Sequence, residues 1–285
     1  MTLNPLQFAE EVNKQYLRYQ LTSARLTDEI LSNQFEEKLW RNDSPLFKGP
    51  FVSLSRAYKE GSRVSDLVED GTLHNRMRGI VPYDHLYEHQ EEALHSVKDG
   101  RDTLVTTGTG SGKTEAFLYP IIDRCLRLNE GSNAPDGVTA VIVYPMNALA
   151  ADQLDRLREL LVGTGVTFGR YVGPTPEDET GLSFEGRKVP EGTTREEYQE
   201  LREEVDEDEN VVHLPPEERY TREQIRADPP QILLVNKAIL EFQLTRGKDL
   251  DLFLNAPLEY VVMDEAHTNT GAQGAEISLL LRRLK

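Results

Sequence analysis

The chain has 285 residues, of which 38% are hydrophobic and 28% charged, a composition typical of a globular protein with one large domain or a core domain and an appendage. The formal net charge of −17 at pH 7 excludes a simple electrostatic binder of phosphate backbones unless basic residues gather locally. The single cysteine, Cys125, excludes an internal disulfide, and the absence of an apolar run of about 20 residues argues against a membrane span.

The acidic excess has two explanations that the sequence leaves open. The protein could be adapted to high salt, where screening over a few ångströms removes most of the repulsion between its acidic residues. Alternatively, one acidic insertion could carry much of the excess charge. The N-terminal run MTLNPLQFAEEV lacks the basic start and apolar stretch of a signal peptide. We therefore expect a cytoplasmic protein with no membrane partner.

Residues 1–84 predict an accessory, mainly helical region that packs on the core. One helix face is indicated by aromatic and aliphatic residues that recur every three or four positions, namely Phe8, Val12, Tyr16 and Tyr19. A second helix follows, with Ile30, Phe35 and Leu39 on one face and Thr27 or Asp28 as its cap. The segment 42–49 contains Pro45 and Gly49 and predicts a loop.

From residue 85 to residue 285, short apolar runs alternate with helical patterns. The predicted strands are Thr103–Thr107, Val138–Tyr144, Val166–Val172, Ile232–Val235 and Tyr260–Met263. The predicted helices between them are Lys113–Leu128 and Asn147–Leu161. Near-continuous apolar strands separated by helices predict an α/β fold, with a mostly parallel sheet covered by helices on both faces. Ligands bind such sheets at the carboxyl ends of the strands.

Residues 174–229 interrupt this alternation and predict an insertion. The stretch holds Pro174, Pro176, an acidic run at 203–209 and the pair Pro215-Pro216, and it is too long and polar for an ordinary connection. We expect it to be partly helical around Thr194–Glu203 and partly mobile. A solvated, dispensable loop and a regulatory flap are the alternatives.

A phosphate-binding loop is the strongest motif. Its residues are Thr106-Thr107-Gly108-Thr109-Gly110-Ser111-Gly112-Lys113-Thr114. It follows a predicted strand and opens a predicted helix, so backbone N–H groups and the helix N-terminus would hold phosphate oxygens. Lys113 would reach the outer phosphates, and the Thr114 hydroxyl would ligate Mg²⁺. Thr107 stands where the strict motif has glycine, and a turn that binds nothing is the alternative.

A pair of carboxylates ends the last predicted strand, in the run Tyr260-Val261-Val262-Met263-Asp264-Glu265-Ala266-His267. Asp264 would hold the Mg²⁺, and Glu265 would orient or deprotonate the attacking water. A helix cap is the ordinary explanation for two such acids. The parallel sheet should bring both beside Lys113, which favours a catalytic role.

Together these two motifs resemble the signature of superfamily 2 DEAD/DEAH-box helicases, whose first ATP-binding domain is a RecA-like P-loop NTPase fold. His89-Gln90 resembles the family's Q motif, 144–153 its motif Ia and 232–240 its motif Ib region. The segment 270–276 is similar to the branch of large bacterial and archaeal helicases with a cysteine-rich C-terminal domain.

The resemblance implies ATP and Mg²⁺ as cofactors and nucleic acid, DNA rather than RNA, as partner. It implies that Gln90 reads adenine and that His267 links the ATP site to the rest of the motor. The residues implied in gripping nucleic acid are Pro145, Asn147, Gln153, Arg170 and Asn236. Tyr171 offers a stacking surface. Helix capping at 145–147, a core role for Tyr171 and a surface role for His267 are the alternatives.

The family motor also has a second RecA-like domain that supplies an arginine finger, and no such segment follows Asp264 before Lys285. We therefore expect the chain to be the ATP-binding half of a helicase or translocase, with weak binding of ATP–Mg²⁺ and very slow hydrolysis. Two alternatives remain: a duplex translocase subunit of a restriction or defence system, and a catalytically idle ATP-binding module.

Overall fold

A computed structural model describes residues 5–23, 28–40, 57–108, 110–131, 136–203, 211–254 and 256–284. The chain forms two compact units, Met1–Ala57 and Tyr58–Lys285. Several predictions fall outside the described residues, namely the cap Thr27, the loop 42–49, the loop residue Thr109 and most of the acidic run, at 204–209. Within the described ranges, no helix has both the length and the apolar character needed to cross a membrane.

The first unit contains α1 (Pro5–Ser23) and α2 (Glu29–Trp40). The prediction of two helices is confirmed, and Asp28 caps the second, because its Oδ1 accepts hydrogen bonds from the backbone N–H groups of Ile30 at 2.9 Å and Leu31 at 3.0 Å. The aromatic and aliphatic residues on the predicted face of α1 are exposed, by 58% at Phe8 and 65% at Tyr19. Packing of this region on the core stays a prediction.

The second unit is an α/β domain. Its helices are α3 (Val64–Glu69), α4 (Met77–Ile80), α5 (Glu88–Lys98), α6 (Lys113–Asn129), α7 (Asn147–Leu161), α8 (Arg195–Glu203), α9 (Arg222–Ala227), α10 (Lys237–Gln243), α11 (Gly247–Leu250) and α12 (Gly271–Leu284). Its strands are β1 (Glu60–Arg63), β2 (His85–Tyr87), β3 (Ala140–Tyr144), β4 (Phe168–Tyr171), β5 (Glu185–Lys188), β6 (Val211–Leu214), β7 (Glu218–Arg219), β8 (Ile232–Asn236) and β9 (Tyr260–Met263).

A five-stranded sheet in the order β7-β4-β8-β3-β9 forms the centre of this unit, and every pairing in it is parallel. β3 is buried along its whole length, because one apolar cluster covers each face of the sheet. Ile142 and Leu234 belong to the cluster shared with α6 and α7, while Val143 and Val235 belong to the cluster shared with α10. The predicted α/β fold with helices on both faces is confirmed.

The core begins earlier than the boundary predicted at residue 85. Strand β1 pairs antiparallel with β2, and Val64 and Leu67 of α3 join the same cluster as Ile122 of α6. Residues 58–84 therefore belong to the α/β unit, because their apolar side chains are buried in its core. The sequence missed this connection, since the segment mixes short helices with loops.

The predicted insertion is structured on both sides of its acidic run. Helix α8 confirms the helix predicted at 194–203, and Tyr198 within it is only 1% exposed. Strand β7 pairs with β4 and so extends the central sheet, while Ile225 of α9 enters the core. A solvated, dispensable loop is therefore wrong for these parts of the segment.

The strand predicted at Thr103–Thr107 is also wrong. The structure has neither helix nor strand at 101–108, and Leu104 is 79% exposed. Among the described strands β9 pairs with β3 alone, and a cavity of ≈ 1000 Å³ lies between β9, α6 and residues 100–107. A strand needs backbone hydrogen bonds to a neighbour, and among the described residues the cavity separates 101–108 from the free edge of β9.

Candidate active site

The phosphate loop is shaped by two glycines with left-handed backbone conformations. Gly110 and Gly112 both have φ of 75°, a region that side chains other than glycine rarely adopt. Helix α6 then begins at Lys113, directly after Gly112. This geometry places the N-terminus of a 17-residue helix at the loop, and unpaired N–H groups at such a terminus attract anions.

Side chains from two segments hold the loop in place. The Oγ1 of Thr107 and the Oγ of Ser111 lie 2.6 Å apart, which gives the residue at the usual glycine position a role in closing the loop. Gln90 Nε2 donates to the Gly112 carbonyl at 3.0 Å, and Gln90 Oε1 accepts from the Tyr87 N–H at 2.9 Å. Gln90 therefore positions the phosphate loop, and its contact with adenine stays a prediction.

The carboxylates follow β9 at the same edge of the sheet. The Asp264 N–H donates to the Val143 carbonyl at 3.1 Å, and Asp264 Oδ1 accepts the Glu265 N–H at 2.8 Å. Glu265 has φ of 48°, and it is the only non-glycine residue in the described part of the chain with positive φ. Such a conformation costs roughly 1–2 kcal/mol, and it turns the chain sharply at the proposed catalytic residue.

Lys113, Asp264 and Glu265 line one cavity, together with Thr107 and His267. Burial raises the pKa of Asp264 above its ordinary value and the charge of Glu265 raises it further, while the hydrogen bond from the Glu265 N–H and the charge of Lys113 lower it. The structure thus brings the predicted ammonium and carboxylate groups to the same space.

The other predicted residues of this site differ in how exposed they are and in whether they line the cavity. Thr114 follows Lys113 in the first turn of α6 and is half-buried, but it does not line the cavity. The Nδ1 of His267 lies 3.1 Å from Glu265 Oε2, and the histidine side chain is 77% exposed. Coupling through His267 stays a prediction. Gly108 is exposed at the start of the loop.

These residues fit a magnesium nucleotide. Glycines with positive φ leave room for phosphate oxygens, and Mg²⁺ is usually held by one or two carboxylates together with phosphates and water. The described residues contain no group of three or more histidine, cysteine, aspartate or glutamate side chains that would form a metal cage by themselves. Asp264, with Thr114, would therefore share the ion with the nucleotide.

Two features beside the loop were missed from the sequence. The rings of Tyr58, Tyr87 and His89 lie 5.5–5.8 Å apart, and Tyr58 Oη is 3.0 Å from where a Cβ on Gly108 would lie. An aromatic cluster therefore borders the phosphate loop, with Tyr87 and His89 stacked at 17° and Tyr58 tilted against both. The His89-Gln90 pair drew attention to this place, but no spacing rule pointed to the tyrosines.

The second missed feature is an ion pair between Glu115 and Arg156. Glu115 is 7% exposed and sits two residues after Lys113, while Arg156 lies on α7. The pair joins the helix of the phosphate loop to the helix of the motif Ia region. Only its position directly after Gly-Lys-Thr could have suggested a role for Glu115.

Two of the residues predicted to grip nucleic acid are in contact. Asn236 Nδ2 donates to Asn147 Oδ1 at 2.7 Å, where β8 and β3 end and α10 and α7 begin. Asn236 Oδ1 also accepts the Ile239 N–H at 2.8 Å, so this asparagine caps α10 as well. Pro145 is exposed beside them. The sheet edge thus carries a small polar surface next to two helix N-termini.

Gln153 and Arg170 have no described contact with this asparagine pair. The Oε1 of Gln153 is buried without a hydrogen-bond partner in the described part of the chain. Burial lowers the pKa of Arg170, and the nearby Arg158 lowers it further. Tyr171 is 3% exposed and its hydroxyl donates to Asp249 at 2.8 Å, which confirms the core role that the sequence left open.

Comparison with known proteins gives consistent matches. The family model described as DEAD/DEAH box helicase matches residues 87–285. The chain is similar to the Druantia protein DruE of Escherichia coli, with 28% identity over 91% of this chain and 18% of DruE. It is also similar to the uncharacterized ATP-dependent helicase YprA of Bacillus subtilis, with 28% identity over 73% of this chain and 21% of YprA.

Among solved structures, the chain is similar to the DUF1998 helicase MrfA bound to DNA and AMPPNP, with a TM-score of 0.48 and 22% sequence identity. That match covers 81% of this chain and 25% of MrfA. The chain spans about a fifth of the length of the curated relatives above.

Proposed function

The chain belongs to the DEAD/DEAH box helicase family, and from that premise we propose that it is the ATP-binding part of an ATP-dependent helicase or translocase that acts on nucleic acid. The observation that carries the proposal is the shared cavity of Lys113, Asp264 and Glu265. We propose DNA rather than RNA as the partner, in line with the family branch that the sequence resembles.

The proposed chemistry is hydrolysis of the outer phosphate of ATP. Lys113 and the N–H groups of the loop bind the phosphates, and Asp264 with Thr114 binds Mg²⁺, which neutralises charge on the phosphates when present. Glu265 orients a water molecule and accepts its proton. The strained backbone at Glu265 supports this role, since such strain gathers at functional sites.

The proposed nucleic-acid contact uses the edge formed by Pro145, Asn147 and Asn236. Helix N-termini and amide side chains bind phosphates without reading bases, which suits a motor that moves along any sequence. They also suit a protein whose net charge of −17 excludes attraction by overall charge. A second RecA-like domain would complete the ATP site with an arginine finger.

The first experiment measures ATP–Mg²⁺ binding by calorimetry in the wild type and in Lys113→Ala. A charged hydrogen bond to phosphate contributes about 1.5–3 kcal/mol, so we expect affinity to fall roughly 10- to 100-fold. Lys248→Ala, an exposed lysine away from the loop, is the matched control and should bind like the wild type. Equal affinity in all three proteins would remove the loop assignment.

A second experiment separates a motor from an idle ATP-binding module. ATP hydrolysis is measured with and without single-stranded DNA and RNA, in the wild type and in Glu265→Gln. A motor component without its second RecA-like domain shows slow hydrolysis that DNA stimulates and that Glu265→Gln abolishes. Binding of ATP with no hydrolysis under any condition would favour the idle module, and stimulation by RNA alone would reverse the proposed partner.

A further inference from the structure

A second, smaller cavity of ≈ 160 Å³ lies on the sheet face that α9 and α10 cover. Its lining includes Tyr171 at the end of β4, Arg222 of α9, and Phe242 and Gln243 of α10. An apolar cavity of about 150 Å³ in a protein core holds one benzene molecule, so this space matches one six-membered ring. No residue of the proposed ATP site lines it.

Unpaired polar atoms are concentrated around this cavity. Gln243 is 1% exposed, yet neither its Nε2 nor its Oε1 has a hydrogen-bond partner within the described part of the chain. The Nε of Arg222 is buried and unpaired in the same way. Buried polar groups are almost always hydrogen-bonded, and leaving one unpaired costs about 1–3 kcal/mol, so these atoms point to a bound partner.

The neighbouring acid does not supply that partner. Asp249 Oδ1 accepts the Tyr171 hydroxyl at 2.8 Å and lies 3.4 Å from the guanidinium of Arg226. The other nitrogens of Arg222 have partners, because Nη2 donates to the Val172 and Gly173 carbonyls at 3.2 and 2.8 Å and Nη1 lies 3.9 Å from Glu177 Oε2. The cavity therefore has one free amide and one free N–H donor beside a carboxylate that is already paired.

The free groups select the chemistry of the ligand. A phosphate offers only acceptors, so it would pair with Arg222 Nε and Gln243 Nε2 and leave Gln243 Oε1 without a donor. A purely apolar ring would leave every polar atom unpaired. The edge of a nucleobase carries a donor beside an acceptor, which is the arrangement that a glutamine amide binds in bidentate fashion.

Flat cationic and aromatic groups surround the same space. The guanidinium of Arg222 lies over the Tyr171 ring at 5.1 Å from its centre, and that of Arg246 lies over the Phe242 ring at 5.4 Å. Phe242 is 54% exposed, so it borders the entrance. Aromatic and guanidinium planes are the surfaces on which single-stranded bases stack.

The cavity also lies within reach of the proposed nucleic-acid edge. Tyr171 is in register with Val235, the residue before Asn236, and Gln243 follows Asn236 by seven residues on α10, about 10 Å along the helix. We propose that this cavity binds one unstacked, pyrimidine-sized nucleobase of a single strand held at that edge, with the Gln243 amide pairing with the base edge. The proposal rests on the proposed function.

The test compares binding of a 12-nucleotide oligothymidine with that of an abasic oligomer of equal length and charge. We expect the wild type to prefer the oligothymidine, and Gln243→Met to weaken that binding about tenfold, as expected for loss of one bidentate base contact. Binding of the abasic oligomer should not change. Gln199→Met, at an exposed position on α8, is the matched control and should behave like the wild type.

The melting temperature of Gln243→Met shows whether this variant still folds like the wild type. Gln243→Met keeps the size of the side chain and removes two unpaired polar atoms, so its melting temperature should equal or exceed that of the wild type. If it instead unfolds, Phe242→Ala takes its place, because a half-exposed side chain can be shortened with little effect on the core. It should weaken oligothymidine binding selectively in the same assay.

A titration with the nucleoside thymidine distinguishes failure of this proposal from failure of the proposed function. The Gln243 side-chain amide signals in an NMR spectrum, assigned by their loss in Gln243→Met, should shift with thymidine and not with inorganic phosphate. Equal shifts with phosphate, or no shift with thymidine, overturn the proposal even where both oligomers bind. If thymidine shifts the signals but neither oligomer binds, the nucleic-acid function fails instead.

Discussion

The central sheet is covered unevenly from its β7 edge to its β9 edge. From β7 to β3, the side chains are packed between helices, and Val235 and Leu234 are fully buried. At the β9 edge, Val261 is 39% exposed and Leu104 lies across an open cavity at 79% exposure. The strands from β7 to β3 are called the closed side here, and the β9 edge with its cavity is called the open side. The proposed catalytic groups all lie on the open side.

This difference indicates that one part of the domain provides stability and another part provides the catalytic groups. The closed side fixes the positions of the strand ends, since a packed interior holds its side chains in single conformations. The open side carries Lys113, Asp264 and Glu265, where a nucleotide needs access and a polar, partly hydrated site. Fewer buried apolar contacts also imply lower local stability at this edge.

The largest expected effect tests whether the inserted segment belongs to the closed side. Arg158 Nε and Nη2 donate to the two carboxylate oxygens of Glu218, both at 2.7 Å, and Glu218 is 4% exposed. Burial alone would lower the pKa of Arg158, but Glu218 outweighs burial and holds that pKa above its ordinary value. Glu218→Gln would leave the buried guanidinium with Asp155, whose side chain is 52% exposed, as its counter-charge among the described residues. We expect the free energy of unfolding, measured with urea, to fall by about 3 kcal/mol.

The control for this buried pair is a solvent-exposed ion pair on the protein surface. Glu159 and Arg202 pair with side-chain exposures of 36% and 38%. Glu159→Gln should change the free energy of unfolding by less than about 1 kcal/mol. Equal effects of the two glutamine variants would mean that the buried pair of Glu218 and Arg158 contributes no more to stability than an exposed pair.

A second prediction compares one substitution on both sides. Val235→Ala, at a position with 0% exposure in β8, should lower the free energy of unfolding by about 2–3 kcal/mol, because it removes two buried methyl groups and leaves a cavity. Val261→Ala in β9 should cost less than about 1 kcal/mol. Urea unfolding of both variants checks this. Equal losses would show that the β9 edge is as tightly packed as the centre.

The sequence predicted most of the central sheet well, and β9 on the open side matches its prediction at both ends. Helix α7 matches its prediction at both ends, and β3, β8 and α6 match to within two residues at each end, because continuous apolar runs were bounded by turn residues and helix starts. Strand β7 was missed. It is two residues long and contains a buried glutamate, so no apolar pattern marks it.

The candidate site was predictable where it depends on topology alone. Parallel strands end at one edge, so Asp264 and Lys113 could be expected to share a space although 151 positions separate them in the numbering. The absence of a strand at 103–107 was not predictable, because β propensity indicates a segment that suits a sheet and not whether it lies close enough to a neighbouring strand to pair with it. The bond from Gln90 to Gly112 was equally hidden, since it depends on how α5 lies against the loop.

The smallest expected effect concerns the charge of Asp264. Since its pKa is raised in the folded protein, the folded state binds a proton more tightly than the unfolded state, and the ionised carboxylate destabilises the fold. This penalty is fully present above the raised folded pKa and disappears as the pH falls below the ordinary value of 3.8. Asp264→Asn removes the penalty and keeps an oxygen for the Glu265 N–H. We therefore expect its melting temperature at pH 7 to exceed that of the wild type by about 1–2 °C.

Two further measurements connect this small effect to the proposed site. The difference in melting temperature should shrink as the pH is lowered towards 4, because the wild-type carboxyl group then becomes neutral as well. Saturating ATP–Mg²⁺ should reverse the order of the two proteins, since the ion binds the carboxylate of the wild type and stabilises only its folded state. A variant that is less stable than the wild type at pH 7 without ligand would mean that Asp264 holds the β9 edge together. In that case the open side would need Asp264 for its stability, and the proposal that the closed side provides stability while the open side provides catalysis would be wrong.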